Sequence, residues 1–272
     1  MKKSFFIVIL AVWISYSFAD MIITRQEGNN LSQEIYAKGR FAEVINNRVV
    51  SVWDFRNMQL TLVNYDIKSY TQISFDNLKA EIARQTDAEI QIELENLDDE
   101  TKRLMIESTN TLFAGLIPRL DIIRDTVMIA NYPSLEYKVL NDTLLIQRIW
   151  ISKKAREDIA KEIPIESMKH VESIFKEKRS KHLGALGLHV DGITQLVEAV
   201  EQNGYIMKRF DYGIRTKSNP SIYKTIESIQ NEITDISHMT VDEAIFLPPR
   251  NFKSLKYNDY QIRLMKYLES LE

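Results

Sequence analysis

Residues 35–75 read IYAKGRFAEVINNRVVSVWDFRNMQLTLVNYDIKSYTQISF, and this stretch decides the fold. It is a ladder of short apolar runs broken by Lys38-Gly39, Asn46-Asn47, Arg56-Asn57 and Asn64-Tyr65-Asp66. Asn, Asp and Gly tolerate positive φ or bond their own backbone, so runs joined this way predict antiparallel hairpins. Met58, Leu60 and Leu62 alternate with Gln59 and Thr61, the period-2 pattern of a strand with one buried face. Residues 48–55 are rich in Val, Trp and Phe, which suit a pleated surface. Counted along that run, Val49, Trp53 and Phe55 fall on one face, and Val50 and Val52 on the other. A strand apolar on both faces is covered twice, in an ordinary sandwich core or around an apolar hollow.

Outward from this ladder, the chain has 272 residues, 44% hydrophobic and 27% charged, an ordinary globular balance. Its start, MKKSFFIVILAVWISYSFAD, has two lysines, an apolar run and a small-residue pattern at Ser17-Phe18-Ala19. This is the layout of a signal peptide over 1–19, cleaved after Ala19, and the apolar run is shorter than a bilayer-spanning helix needs. The expectation is a soluble periplasmic or secreted protein. No cysteine occurs, so there is neither a disulfide framework nor the attachment point of a bacterial lipoprotein. Loss of 1–19 takes the formal charge from −3 to −5, which argues against nucleic acid as a partner.

Before the ladder, residues 20–32 are polar, and Met21-Ile22-Ile23 reads as a first edge strand. After it, Ser74 or Asp76 caps a helix whose stripe is Leu78, Ile82, Ala83, Ile90 and Leu94. Ile90, Ile92 and Leu94 also alternate, but Ala, Glu, Gln, Lys and Arg dominate 79–95 and favour helix. A second helix starts at the acids after Leu97, carries Leu104, Met105 and Leu112 on one face, and ends at Gly115 and Pro118. Strands resume over 126–130, 135–140 and 143–151, with Asn141-Asp142 as a tight turn. Helices return over 152–203, interrupted by Pro164, and Gly204 stops them. Residues 205–214 and 222–230 return to strand-like composition; the spacing of Ile226, Ile229, Ile233 and Ile236 suits a helix, whereas β-branched enrichment predicts strand, which we take. Phe246-Leu247-Pro248-Pro249 reads as a rigid extended segment, and Tyr260 to Leu271 as a closing helix.

The order of these features resembles an uncharacterised exported domain family of the LolA-like superfamily of half β-barrels. The stretches that carry the resemblance are Ile35-Tyr36-Ala37-Lys38-Gly39, Asp66-Ile67-Lys68-Ser69-Tyr70-Thr71, the charged helical insert 77–96, and Asp99-Glu100-Thr101-Lys102-Arg103-Leu104-Met105. Arg148-Ile149-Trp150-Ile151-Ser152 and Phe246-Leu247-Pro248-Pro249 before Phe252 complete the set. The resemblance implies an α+β fold in which a curved antiparallel sheet, a LolA-like half-barrel, wraps around helices. It further implies a single domain over 20–272, with helical inserts at 76–117 and 152–203, and an apolar hollow that in some relatives carries or senses lipid-modified proteins. The long insert 152–203 departs from that pattern.

No chemical motif competes with this reading. There is no G-x-S-x-G elbow, P-loop, dinucleotide fingerprint or H-E-x-x-H pair, so neither enzyme activity, cofactor nor metal is expected. The histidines at 170, 182, 189 and 238, the acids from Glu89 to Glu100 and the cations Lys176, Lys178, Arg179 and Lys181 all read as solvated faces. What remains is apolar: Trp53, Phe55, Leu60, Leu62, Tyr70, Ile146 and Trp150 are the candidates to line a cavity for an acyl chain, where each buried methylene contributes about 0.8 kcal/mol. The partner implied is a lipid or a lipoprotein acyl chain. The alternative is a non-catalytic envelope interaction or structural module, in which the same residues only pack against the protein's own helices.

Overall fold

The computed structural model describes residues 20–28, 30–114, 117–185, 192–212 and 229–271. Six strands come first: β1 (Met21–Glu27), β2 (Asn30–Ala37), β3 (Arg40–Ile45), β4 (Arg48–Asp54), β5 (Gln59–Asn64) and β6 (Ser69–Ser74). Helices α1 (Phe75–Asn96) and α2 (Asp99–Ala114) lead to β7 (Pro118–Ile129), β8 (Tyr132–Asn141) and β9 (Leu144–Ser152). Then follow α3 (Lys153–Glu162), α4 (Ile165–Ala185), α5 (Gly192–Glu201), β10 (Tyr205–Asp211) and β11 (Ile229–His238). A 3₁₀ turn at Glu243–Phe246, β12 (Lys253–Leu255) and α6 (Tyr257–Glu269) close the chain. The fold is α+β: all described strands join one open 12-stranded sheet in the order β12-β6-β5-β4-β3-β2-β1-β11-β10-β9-β8-β7. Neighbours pair antiparallel except β12, which runs parallel to β6.

The hairpins form where the turn chemistry demands. Lys38, Gly39, Asn46, Asn47, Lys68, Ala130, Asn131 and Asp142 all take left-handed backbone, with φ between +46° and +77°. Asp54 and Asn64 clamp their own turns: Asn64 Oδ1 accepts from Asp66 N at 2.9 Å and Ile67 N at 3.0 Å. Met58 belongs to a turn as well, at φ +50°, and not to the strand that its alternation with Leu60 suggested.

Three further expectations are corrected. Met21-Ile22-Ile23 opens a central strand, because β11 returns to pair along the side of β1 that β2 leaves open. The strand expected over 126–130 starts at Pro118 and not at Thr126; its polar residues Arg119, Asp121, Arg124 and Asp125 hid the pattern. In β4, Val50 is a bulged residue between the pairs Val44↔Val49 and Glu43↔Ser51. The extra residue inverts the alternation, so Val49 packs with Val52 on the face opposite Trp53. The helix-or-strand ambiguity after Ile222 resolves as strand from Ile229, with 222–228 outside the described residues, and residues 90–96 are helical. Phe246 ends a 3₁₀ turn, and the extended backbone begins at Leu247.

The core has three parts. On the inner face, Met21, Ile23, Tyr36, Leu60 and Ile73 of the first strands join Ile129, Tyr132, Trp150, Met207 and Ile233 of the later ones. Phe75, Leu78 and Ile82 of α1, Ala155 and Ile159 of α3, and Val171 and Ile174 of α4 complete this one cluster. On the outer face, Ile35, Ala37, Ala42, Val44 and Val52 lie under Phe246, and Tyr137, Val139, Ile149 and Ile151 lie under Ile193, Val197 and Val200 of α5. This double cover explains why β4 and β9 are apolar on both sides. Gly204 returns the chain from α5 to the sheet: a Cβ there would lie 2.4 Å from Ile151 Cγ2 and 2.8 Å from Ser152 O. No described helix is long and apolar enough to cross a membrane.

Candidate functional site

The inner face brings together five of the seven apolar candidates. Phe55, Leu60 and Trp150 are buried in the shared cluster, with Trp53 and Leu62 packed half-buried against it. Phe75, wholly buried at the start of α1, receives Trp53 and Phe55 with ring centroids 5.9 and 5.8 Å away. Phe175 of α4 meets Trp53 edge-on at 6.3 Å and remains 45% exposed, so Trp53 and Phe175 mark the rim of the site. Trp150 is held differently. Phe210 meets it edge-on at 5.7 Å, while the Arg148 guanidinium lies 4.7 Å and the Lys208 ammonium 5.9 Å from its ring centre.

Tyr70 and Ile146 are not part of this surface. In β6, Ser69, Thr71 and Ile73 form the buried set, which turns Tyr70 to the outer face opposite Val63. Ile146 is the bulged residue between the pairs Val139↔Gln147 and Leu140↔Leu145, and it packs in the outer cluster under α5. In each case a strand parity or a bulge, invisible in composition, decides the face.

Between the inner face and the helices, Phe75, Leu78 and Ile82 of α1, Ala155 and Ile159 of α3 and Val171 and Ile174 of α4 are all buried in the cluster shared with the strands. A recess of about 50 Å³ lies between α1 and α4, lined by Ile82, Ala83, Thr86 and Ile174 and fringed by Lys79, Glu177, Lys178 and Lys181. These cations are paired: Lys79 with Glu177, Lys178 with Glu89 at 3.1 Å, and Lys181 with Asp87. The run Lys176, Lys178 and Lys181 is therefore a salt-bridged helix face, with Lys176 meeting Glu198 of α5 at 2.6 Å.

Two polar constellations went unseen in the sequence. Arg25 of β1 donates to Asn231 Oδ1 at 2.7 Å, to Glu34 Oε1 at 3.2 Å and to the Tyr205 hydroxyl at 2.9 Å. The second oxygen of Glu34 accepts from Tyr36, at 2.7 Å, and from Tyr205. This network ties β1, β2, β10 and β11 together at the sheet centre. Burial, reinforced by the Glu34 charge, pushes both tyrosine hydroxyls well above their ordinary range, so they stay neutral donors. Both oxygens of Glu34 are engaged, which suits a structural knot.

The second constellation joins Tyr132 to Asp158 Oδ2 and to His238 Nε2, each at 3.1 Å. Burial opposes the Asp158 charge, yet hydrogen bonds from Lys154, Lys161 and Tyr132 win and hold its carboxyl down at about 2. Burial, then the bond to Asp158, pushes Tyr132 up to about 12. No serine, threonine or lysine nucleophile is bonded to His238 among the described contacts, and no group of three His, Asp or Glu residues among the described ones could hold a metal ion. Of the acids from Glu89 to Glu100, Asp98 has a structural role: it caps α2 through Thr101 N at 2.7 Å. His182 and His189 lie outside the described side chains.

No family model and no curated protein matches the chain. Among solved structures, one of PNGF-II in a C2 space group is similar over 91% of this chain and 33% of that one, at 11% identity and a TM-score of 0.35. The chain thus spans about a third of that protein, and a likeness so remote carries no argument.

Proposed function

We propose that this chain is a non-catalytic interaction or structural module of an exported compartment, with a half-barrel sheet curled around the protein's own helices. One observation carries the reading: the single buried cluster in which residues from both ends of the strand order meet α1, α3 and α4. Ligand pockets commonly enclose roughly 300–1,000 Å³. The recess beside Ile174 holds about 50 Å³, too little for an acyl chain without moving a helix. On this reading Phe55, Leu60 and Trp150 are core residues, and partners meet the outside of the molecule.

A second reading, a lipid carrier, rests on the rim. Trp53 and Leu62 are half-buried and Phe175 is exposed beside them, so a displaced α4 would open an apolar trench. The two readings separate in a titration of the full chain with a fluorescent fatty acid, monitored also by quenching of the tryptophans. The module reading expects no saturable binding at micromolar probe. Saturable one-to-one binding that Trp53→Asp abolishes, in a variant whose circular dichroism is unchanged, would overturn it in favour of the carrier.

A further inference from the structure

The margin of the sheet carries a surface that neither reading uses. β7 ends the strand order; it pairs with β8 on one side, and no described strand pairs with its other side. Ile117 O accepts from Asp142 N at 2.8 Å, and Ile117 N donates to the Asn141 side chain at 3.0 Å. Alternation along the strand therefore aims the main-chain groups of Arg119, Asp121 and Ile123 at β8. Those of Leu120 and Ile122 point outward, ready for another strand. Arg124 and Asp125 bulge out between the pairs Ile123↔Glu136 and Thr126↔Leu135, which limits the regular edge to residues 118–123. Ile117 and Ile122 beside it are more than half exposed.

We propose that this edge is a self-association surface, on which a second copy of the chain adds its own β7 antiparallel about a twofold axis at Leu120. Set against its own reverse, the order Ile117-Pro118-Arg119-Leu120-Asp121-Ile122-Ile123 places apolar residues opposite apolar ones and Arg opposite Asp. In that register Arg119 faces Asp121 of the second copy, twice by symmetry, and Ile117 and Pro118 face Ile123 and Ile122. The two Leu120 residues exchange N–H···O=C bonds, and Ile122 N–H meets the Pro118 carbonyl, which needs no N–H from proline. Arg119 and Asp121 already share one face, 2.9 Å apart and about half exposed, so the dimer meshes four alternating charges. The neighbouring registers that keep the outward groups paired set Arg119 against Arg119 or Asp121 against Asp121, and like charges directly opposite repel. Charge order thus selects both the partner and its register. An edge this short buries less than about 1,200 Å², so the dimer is reversible and concentration-dependent.

Sedimentation velocity of the full chain, from low to high micromolar concentration, tests this. The wild type should pass from monomer to dimer. Asp121→Arg should weaken the dimer roughly tenfold or more, and the double exchange of Arg119→Asp with Asp121→Arg should restore it. Ile122→Pro removes an outward N–H that pairs with no described strand of the monomer, and should also dissociate the dimer while leaving the far-ultraviolet spectrum unchanged. A wild type that stays monomeric overturns the proposal, whatever strand peptides it captures. So does a dimer indifferent to both single variants, which would point to another surface such as the exposed Ile262 and Met265 of α6, and so does a charge exchange that restores nothing.

Discussion

Whether α4 is part of the core or a movable cover is decided by truncating Ile174. This side chain is 2% exposed and lies in the cluster shared by sheet and helices. Ile174→Ala deletes three carbons, worth about 2.4 kcal/mol at about 0.8 kcal/mol each. The void left behind adds to this, and buried Ile→Ala changes cost about 2–5 kcal/mol. The neighbouring recess of about 50 Å³ gives the site some room to relax, so about 3 kcal/mol is expected. Phe175→Ala, one residue along the same helix, is the control. It is 45% exposed and touches Trp53 by its edge, so about 1 kcal/mol should be lost. In urea unfolding with a slope of about 3 kcal/mol/M, the Ile174 variant should melt about 1 M earlier at an unchanged slope. Equal, small shifts for the two variants would refute the packing described for α4, since a helix that lifts off freely adds little to global stability.

Three further outcomes follow from other parts of the molecule. Arg25→Met and Glu34→Gln should each destabilise by about 3–5 kcal/mol, because each strands a largely buried charge, and the double variant should recover a large part; additive losses in urea titrations would show the two groups are uncoupled. Gly204→Ala places a Cβ 2.4 Å from Ile151 and should cost about 1–3 kcal/mol, whereas a neutral melting temperature would mean the backbone there is free to move. Asp158, held at about 2, favours the folded state above its unfolded pKa of about 3.9 and loses that contribution as pH falls from about 5 toward 2. Tyr132, raised to about 12, favours it below about pH 10 and loses that between about 10 and 12. Asp158→Asn should therefore flatten part of the acid limb of the stability curve, and Tyr132→Phe part of the alkaline limb; limbs unchanged from wild type would show that neither group is coupled to folding.

The hairpins of β2 to β6 were legible in the sequence because their turns need left-handed backbone, and Asn46-Asn47 and Lys38-Gly39 advertise it. Helices α1, α3 and α6 were legible from composition and periodicity over many residues. What stayed hidden depends on neighbours remote in the chain. Met21 to Glu27 reads as an edge because its polar residues suit a solvated strand, yet Arg25 meets Asn231 and Tyr205 from the far end of the sequence. Face assignments failed where a bulge changes the count, at Val50 and Ile146, since one extra residue inverts every side chain beyond it. Five of the apolar candidates share the inner face because large aromatic and aliphatic side chains at inward parity have few other places to go; Tyr70 fell on the opposite parity.

The filled inner face is tested most directly by native mass spectrometry of the chain isolated gently from the cells that produce it, without detergent or organic solvent. The account predicts the mass of bare polypeptide, as monomer or dimer, with no adduct that survives mild activation. A stoichiometric adduct with the mass of a fatty acid or phospholipid, lost in the Trp53→Asp variant, would contradict it.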